Sequence, residues 1–397
     1  MKIALVAPLD LSFVLFCKGI VDNLNEINDI ELVLISDVHG KDNYCSNIIK
    51  KWNVKFIPIK CHRYVNLIKD LNYIFSLYKI FKKEKFDAVI NIATKPNIYG
   101  SIAGHFANVN KIFCSVWGRG SVFVDNKKSV KEKLIKFILL KLYKRAFNVC
   151  SKVWFTNQYD LNYFKSVKLI DNNKIILTKN YVPTDDYAPY ILSHHREVVL
   201  RNELKMKKED KLVVMVGRLI WAKGVREFVE SSKILKDKLP WLKFVFIGPV
   251  EKGISDVVPE SYLRENEKTG NFIWTGFRKD VKDIYALADL AVLPSYYKEG
   301  GYPRALTEPM SMGKPIIAAD SPDCRGPVEH EKNGYLIPIK NSKALADGIE
   351  KIMLDDSLRE TMGKYSRKKA VRDFDEKMIV HDVLSKMGFD IPTSVMN

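Results

Sequence analysis

Apolar residues fall into short, β-branched runs separated by longer amphipathic stretches, and this alternation repeats along the whole chain. The runs in the first half are KIALVAP (2–8), ELVLIS (31–36), VKFIPI (54–59), AVINIA (88–93), KIFCSVW (111–117), KVWFTN (152–157) and KIILTKN (174–180). A polar, turn-rich stretch, YVPTDDYAPYILSHHREV (181–198), interrupts the series. A second series follows with KLVVMVG (211–217), KFVFIG (243–248), FIWTG (272–276), LAVLPS (290–295), PIIAAD (315–320) and GYLIPI (334–339). Runs that are apolar throughout suit strands buried on both faces, and strand–helix alternation builds parallel βαβ units. The pattern predicts an α/β chain of two Rossmann-like domains, residues 1–190 and 191–375, with a helical tail over 376–397. Open parallel sheets bind ligands beyond the carboxyl ends of their strands. Two such sheets facing each other make a cleft, where the chemistry is expected.

Length and composition agree with two cores: the chain has 397 residues, 47% hydrophobic and 28% charged. Its six cysteines show no CxxC spacing, so neither a disulfide framework nor a zinc knuckle is expected. The start, MKIALVAPLDLSF, reads as a strand whose Asp10 would interrupt a signal-peptide core. No run approaches the roughly 20 apolar residues that span a bilayer. The expected location is the cytoplasm, or the inner face of the cytoplasmic membrane as a peripheral protein.

Charge adds a partner to this picture. Residues 41–152 hold 23 Lys and Arg against 6 Asp and Glu, an excess equal to the net +17 of the whole chain. The same segment contains two amphipathic stretches, 66–87 and 127–148, the second carrying eight Lys and Arg from Lys127 to Arg145 around an apolar stripe. One reading is a core-facing helix with a solvated lysine face. The other is a surface that rests on anionic lipid. Nucleic acid is not expected, because no recognition helix, zinc module or RNA-binding motif accompanies the charge.

Candidate chemistry gathers at strand ends of the second series. VVMVGRLIWAKGVREF (213–228) places Gly217-Arg218 after a strand and Lys223-Gly224 before a helix. An Arg fork, a Lys point charge and helix-start N–H groups suit a diphosphate, although the spacing fits two ordinary surface cations equally well. After the next strands, Gly276 would let backbone approach a flat ligand. Phe277-Arg278 would then lie against a nucleobase or, for Phe277, pack in the core, while Asp280 is expected to cap the following helix. In SYYKEGGYPRALTEPMSMGKPII (295–317), Glu299 and Glu308 flank Gly300-Gly301. The glycines offer bare N–H groups to a phosphate. The two carboxylates, Glu299 at the strand end and Glu308 on a helix from about 305 to 313, suit the vicinal hydroxyls of sugars, which donate.

VGRLIWAKGVREFVES, WTGFRKDVKDIYALADLAVLPSYYKEGGYPRALTEPMSMGKPIIAAD and EHEKNGYLI together closely resemble family 4 of the nucleotide-sugar-dependent retaining glycosyltransferases. Within that family the chain is most similar to bacterial enzymes extending lipid-linked glycans for O-antigen, capsule or glycoprotein assembly. The resemblance lies mostly in residues 211–375. It implies the glycosyltransferase type B fold, with an acceptor-binding first domain, a donor-binding second domain and a tail that returns to the first. It implies that Arg218 and Lys223 serve the donor diphosphate, Glu299 the transferred sugar and Glu308 the ribose. Tyr302, Pro303, Arg304, Ala305 and Leu306 would line the donor pocket with Gly217, Gly276, Phe277 and Arg278. A UDP-sugar is favoured over a GDP-sugar, with no cofactor and no metal.

The chain departs from the family pattern in three places. Eight residues separate Glu299 from Glu308 where the family has seven, so either a one-residue bulge keeps Glu299 in its role or Gly300 takes the standard position. The first strand leads into APLDLSF without a Gly-Gly pair, which leaves Asp10 and Ser12 as acceptor-side candidates. SVWGRGSVF (115–123) lacks the usual His but offers Gly118, Arg119 and Gly120. Front-face transfer needs no enzymic base when the leaving phosphate oxygen takes the acceptor's proton, so positioning and charge stabilisation carry the reaction. DFDE (373–376) has the spacing of a metal site but reads as capping at the start of the last helix. An epimerase of the same fold would need its own acid and base, yet the seven His mark no strand end. A non-catalytic basic module would have no use for the four donor-site residues.

Overall fold

The computed structural model describes residues 1–38, 44–62, 64–118, 123, 130–250, 256–297, 301–322 and 324–391. Among the candidates, Glu299, Gly300, Arg119 and Gly120 lie outside the described residues, as do Lys127 and Lys128. The chain divides into two compact units, Met1–Lys179 with Glu376–Asn397, and Asn180–Asp375.

Seven strands form the sheet of the first unit: β1 (Lys2–Leu9), β2 (Glu31–Asp37), β3 (Lys55–Pro58), β4 (Ala88–Ile92), β5 (Lys111–Val116), β6 (Lys152–Phe155) and β7 (Ile175–Leu177). Their order is β3-β2-β1-β4-β5-β6-β7, with every pair parallel. Residues Ile3–Ala7 are wholly buried, as expected of a central strand covered by helices on both faces. Leu5 pairs with Leu34 on one side and with Ile90 on the other. The order reverses at β1 and β4, so their carboxyl ends define a switch point.

Two amphipathic stretches become the helices Leu67–Glu84 and Val130–Val149. The first buries Asp70, Tyr73, Leu77 and Phe81 and is capped by Asn66, whose side chain accepts from the Lys69 N–H. The second buries Leu139, Tyr143, Ala146 and Phe147, and its rings meet Phe164, with centroids 5.2 Å away from Tyr143 and 5.5 Å from Phe147. The last helix, Glu376–Lys386, belongs to this unit. Phe389 beyond it packs on Phe113 of β5, ring centroids 5.6 Å apart.

The second unit holds six strands: β8 (Lys211–Val216), β9 (Leu242–Ile247), β10 (Phe272–Trp274), β11 (Leu290–Leu293), β12 (Ile316–Ala319) and β13 (Gly334–Ile337). They are all parallel, in the order β10-β9-β8-β11-β12-β13, with the switch point between β8 and β11. Residues 180–190 pack with this unit: the Val182 N–H donates to the Phe374 carbonyl at 2.9 Å, and Tyr187 and Tyr190 lie on its core. DFDE spans a helix junction: Asp373 lies in the last turn of the helix Asp356–Phe374, paired with Lys369, and Asp375 immediately precedes the last helix, whose first turn holds Glu376. Asp375 accepts from the Thr184 hydroxyl. No described helix is long and apolar enough to cross a membrane.

Candidate active site

The switch point of the second sheet brings together the loops that follow β8, β9 and β11. Backbone contact sets the spacing. A Cβ on Gly248 would stand 1.8 Å from the Gly217 carbonyl oxygen, so the β8 and β9 loops close on each other only with glycine there. After a short turn, Trp221–Lys223, Gly224 takes φ +84°, and any Cβ on it would lie 2.3 Å from the Pro294 carbonyl oxygen at the end of β11. The helix Val225–Leu235 starts there without a side-chain cap. The Ala222 carbonyl accepts from the N–H groups of Tyr296 and Tyr297, both at 2.9 Å, and from Ser295 Oγ at 3.3 Å. The two loops are thereby fastened together.

Arg218 and Lys223 both reach the Tyr297 ring at this junction. The Lys223 side chain runs beside Gly217, whose added Cβ would sit 3.7 Å from Lys223 Cδ, and the residue is only 8% exposed. Arg218 Cζ lies 4.8 Å and Lys223 Nζ 5.5 Å from the centroid of the Tyr297 ring. Composition gave no reason to select Tyr297. Nor did it select Glu227, a buried acid in the first turn of the helix that follows Gly224. Burial pushes the Glu227 carboxyl up, partly offset by its N–H bond and by Arg226 and Lys340, and its Oε2 has no hydrogen-bond partner among the described residues. Its place in a first turn, where acids are common, is the only sequence signal it offered.

Beyond β11, Gly301 has φ +77° and Tyr302 φ +46°. The Tyr302 ring is 5.3 Å from that of Phe374, and it is so close to Gly326 that a Cβ there would meet Tyr302 Cε1 at 2.2 Å. The ring is therefore seated partly in the unit's own packing, and the residue stays partly exposed. Leu306 is fully buried in the hydrophobic core. Pro303 precedes the helix Arg304–Ser311, and Tyr302, Arg304, Ala305 and Glu308 are the partly exposed residues of this group.

Glu308 stands in the second turn of that helix with Arg304 Nε 2.8 Å from its Oε1; the side chains are 13% and 16% exposed. Burial pushes the Glu308 carboxyl up, while Arg304 and a hydrogen bond from Tyr187 pull it down. The arrangement keeps a carboxylate oriented and nearly dry, as an acceptor of hydroxyl hydrogen bonds requires.

On the far side of β9, Gly276 has φ +70° with open space where a side chain would be, and Phe277 is 63% exposed. Phe277 is thus not a core residue. Arg278 is engaged internally: its Nε lies 2.8 Å from Asp280 Oδ1, and its Nη2 lies 2.7 Å from Glu203. Asp280 corrects a second expectation, for it makes no side-chain cap to the helix Val281–Leu287. It binds Arg278 and Arg196 instead, and they hold its carboxyl at about 2.

In the first unit Asp10 is buried at the carboxyl end of β1, its Oδ1 accepting from the Leu11 N–H at 2.7 Å. Ser12 lies on the same short helix, Asp10–Phe16. Gly118 follows β5 at φ +123° with nothing within 4 Å of where a Cβ would be. The loop after β4 also holds a buried ion pair, Lys95 Nζ to Asp70 Oδ1 at 2.5 Å, joined by the Tyr99 hydroxyl at 3.2 Å. Lys-Pro at a strand end was its only trace in the sequence.

Two parallel sheets, each with its order reversing beside the first strand, match the architecture of the type B glycosyltransferases. Solved structures carry the same architecture. Anabaena HepE in complex with UDP gives a TM-score of 0.74 at 18% identity, covering 98% of this chain and 100% of that one. WaaG, a glycosyltransferase involved in lipopolysaccharide biosynthesis, gives 0.71 at 14% identity with 98% and 100% covered. Two family models match, Glycosyl transferases group 1 over residues 199–369 and Glycosyl transferase 4-like over 2–157. The two matches lie in succession along the chain, which is a glycosyltransferase. Among curated relatives, a Campylobacter jejuni N,N'-diacetylbacillosaminyl-diphospho-undecaprenol alpha-1,3-N-acetylgalactosaminyltransferase is 27% identical, with 97% of each chain covered. An Escherichia coli UDP-Gal:alpha-D-GlcNAc-diphosphoundecaprenol alpha-1,3-galactosyltransferase is 28% identical over 80% of this chain and 79% of its own.

Proposed function

We propose that the protein transfers a hexose or N-acetylhexosamine, with retention, from a UDP-sugar to a glycan carried on a polyprenyl diphosphate. The observation that carries this reading is that Arg218 and Lys223 both reach the Tyr297 ring at the β8–β11 switch point, beside backbone that only glycine permits. The pair neutralises the leaving diphosphate, and the departing phosphate oxygen takes the proton of the acceptor hydroxyl. Glu308 holds the ribose hydroxyls, with Arg304 and Tyr187 keeping it oriented. Glu299 is assigned to the transferred sugar by the resemblance. Phe277 presents its exposed ring to the base. Asp10, Ser12 and Gly118 stand on the acceptor side. The relatives from C. jejuni and E. coli, whose names specify undecaprenyl-diphosphate acceptors, support the acceptor class.

The first unit rests on the anionic inner face of the membrane in this reading. Leu67 and Ile68 are 75% and 73% exposed, and Leu71, Phe75, Leu134 and Phe137 are exposed with them. Lysines stand among these residues, Lys79 Nζ lying 4.4 Å from the Phe75 ring and Lys141 Nζ 5.4 Å from that of Phe137. Apolar side chains bury in the headgroup boundary while the cations meet anionic lipid.

Glu308→Ala separates transfer from membrane binding. Sugar transfer to a polyprenyl-diphosphate glycan is expected to fall at least about 100-fold, with flotation on anionic vesicles unchanged. Equal loss of both would favour a non-catalytic binding module. Turnover is expected to persist in EDTA; abolition by EDTA with rescue by a divalent ion would overturn the cation-pair account.

A further inference from the structure

We propose that Arg367 is a positioning residue that sets Glu308 for the donor ribose by tying the helix that carries Glu308 to the segment that carries Tyr187. The inference rests on the proposed role of Glu308. Local sequence works against the backbone there. Glu308 precedes Pro309, which has no N–H to offer the Ala305 carbonyl and disfavours helical geometry in the residue before it. The helix Arg304–Ser311 has eight residues, too few to make good that loss by itself. Its end meets a second proline. The carbonyls of Glu308, Pro309 and Met310 accept from the N–H groups of Met312, Lys314 and Gly313. The Ser311 carbonyl would look four residues on to Pro315, which also lacks an N–H. Its donor must come from outside the helix.

Arg367, on the neighbouring helix Asp356–Phe374, supplies it. Its Nη1 lies 3.0 Å from the Ser311 carbonyl oxygen, 2.9 Å from Ser311 Oγ and 2.8 Å from the Thr184 carbonyl oxygen. The approach is close because Gly363, one turn earlier, lies against the Gly313 carbonyl oxygen, where a Cβ would stand at 2.3 Å. Ser311 comes three residues after Glu308, and Thr184 three residues before Tyr187, whose hydroxyl donates to Glu308. The Tyr187 N–H donates to the Pro183 carbonyl at 2.9 Å, which fixes that turn at its root. One guanidinium nitrogen thus joins both sides of the Tyr187–Glu308 contact. Thr184 and Ser311 are buried, so losing the donor leaves their carbonyl oxygens out of easy reach of water. The Ser311 hydroxyl, 3.5 Å from the Thr184 carbonyl, is too distant to replace it. The two segments then part, and the carboxylate loses the orientation that two ribose hydroxyls require.

The test reads recognition of the ribose hydroxyls. The full-length protein is titrated calorimetrically with UDP and with its 2′,3′-dideoxy analogue, and melting is followed without ligand. Wild type is expected to prefer UDP about 30-fold, and Glu308→Ala to lose most of that preference. Arg367→Met is expected to bring the preference down to about threefold, with affinity for the dideoxy analogue within about twofold of wild type. Arg367→Lys, whose amine ends one bond short of Nη1, is expected to retain about tenfold. Where Arg367→Met does not melt cooperatively, Arg367→Lys alone is read. An unchanged preference in either folded variant overturns the inference, even when both affinities drop together, because a merely structural arginine affects the two ligands alike. If wild type does not distinguish the two nucleotides, or Glu308→Ala keeps the full preference, the assignment of Glu308 to the ribose fails and the inference falls with it. If Glu308→Ala loses the preference while the Arg367 variants keep it, only the role of Arg367 falls.

Discussion

A nearly dry carboxylate beside an arginine is sensitive to the loss of either partner. Removing Arg304 leaves Glu308 nearly buried with only Tyr187 to hold it. Arg304→Leu is therefore expected to destabilise the protein by on the order of 2 kcal/mol, read from urea unfolding, because the remaining charge keeps its desolvation cost. The double change Arg304→Leu with Glu308→Leu should recover most of that loss while remaining inactive. Glu227 gives a pH signature. Burial raises its folded pKa above the unfolded value, so its contribution is fully present below about pH 4 and is lost as pH rises through the shifted pKa. Glu227→Gln is expected to melt with wild type near pH 4 and above it near neutrality; a constant offset at both would disprove the shift. Of these residues only Glu308 stood out in the sequence, because a carboxylate near a glycine pair has a recognisable use. Glu227 and Tyr297 looked like ordinary helix-start and loop residues, since what makes them notable is what lies next to them.

Helices carry the next set of consequences. The helix Leu67–Glu84 starts at a cap, Asn66, and is pinned at that end by Lys95 to Asp70 and to the Tyr64 carbonyl. Asn66→Ala is expected to cost about 1 kcal/mol by thermal melting. The exposed faces of this helix and of Val130–Val149 separate two effects that composition left mixed. Both helices do bury a stripe, so the core-facing reading holds for Tyr73, Leu77, Tyr143 and Phe147. A second apolar face remains uncovered among the described residues. Phe75→Ser with Phe137→Ser is expected to reduce flotation on anionic vesicles at least about fivefold without changing the melting temperature; unchanged flotation would remove the lipid-facing role. Hydrophobic periodicity showed that these helices were amphipathic. It could not tell which apolar residues stay exposed, because each helix has more of them than one stripe against the sheet can bury.

Acid should unfold the whole molecule in a window set by its paired carboxylates. Glu84, held by Lys2 of β1 and Lys55 of β3, is lowered to about 2, and so are Asp280 and Glu329. Their folded pKa values lie below the unfolded ones, so this stability is present above about pH 4 and is lost as pH falls towards 2. Glu84→Gln is expected to flatten the decline of melting temperature between about pH 4 and pH 2 for the first unit, and Asp280→Asn that of the second. A wild type whose melting temperature is level across that window would contradict both. The same pairs show why the first reading of Asp280 failed: a caps-like acid before a helix met two arginines in space, and a charge-assisted bond to each outweighs a single cap.

The sequence by itself determined the strands seen among the described residues, their parallel pairing into two sheets and the strand ends where chemistry belongs, because short apolar runs must be covered on both faces wherever they occur. It determined equally that Arg218, Lys223 and Glu308 would stand near such ends. Tertiary structure alone decided which neighbours those residues acquired: Tyr297 beneath the cations, Arg304 and Tyr187 on Glu308, and core packing for Leu306 and Tyr302. Local spacing governs how a segment folds, whereas burial, pairing and charge environment depend on residues dozens of positions away that only the folded sheets bring together.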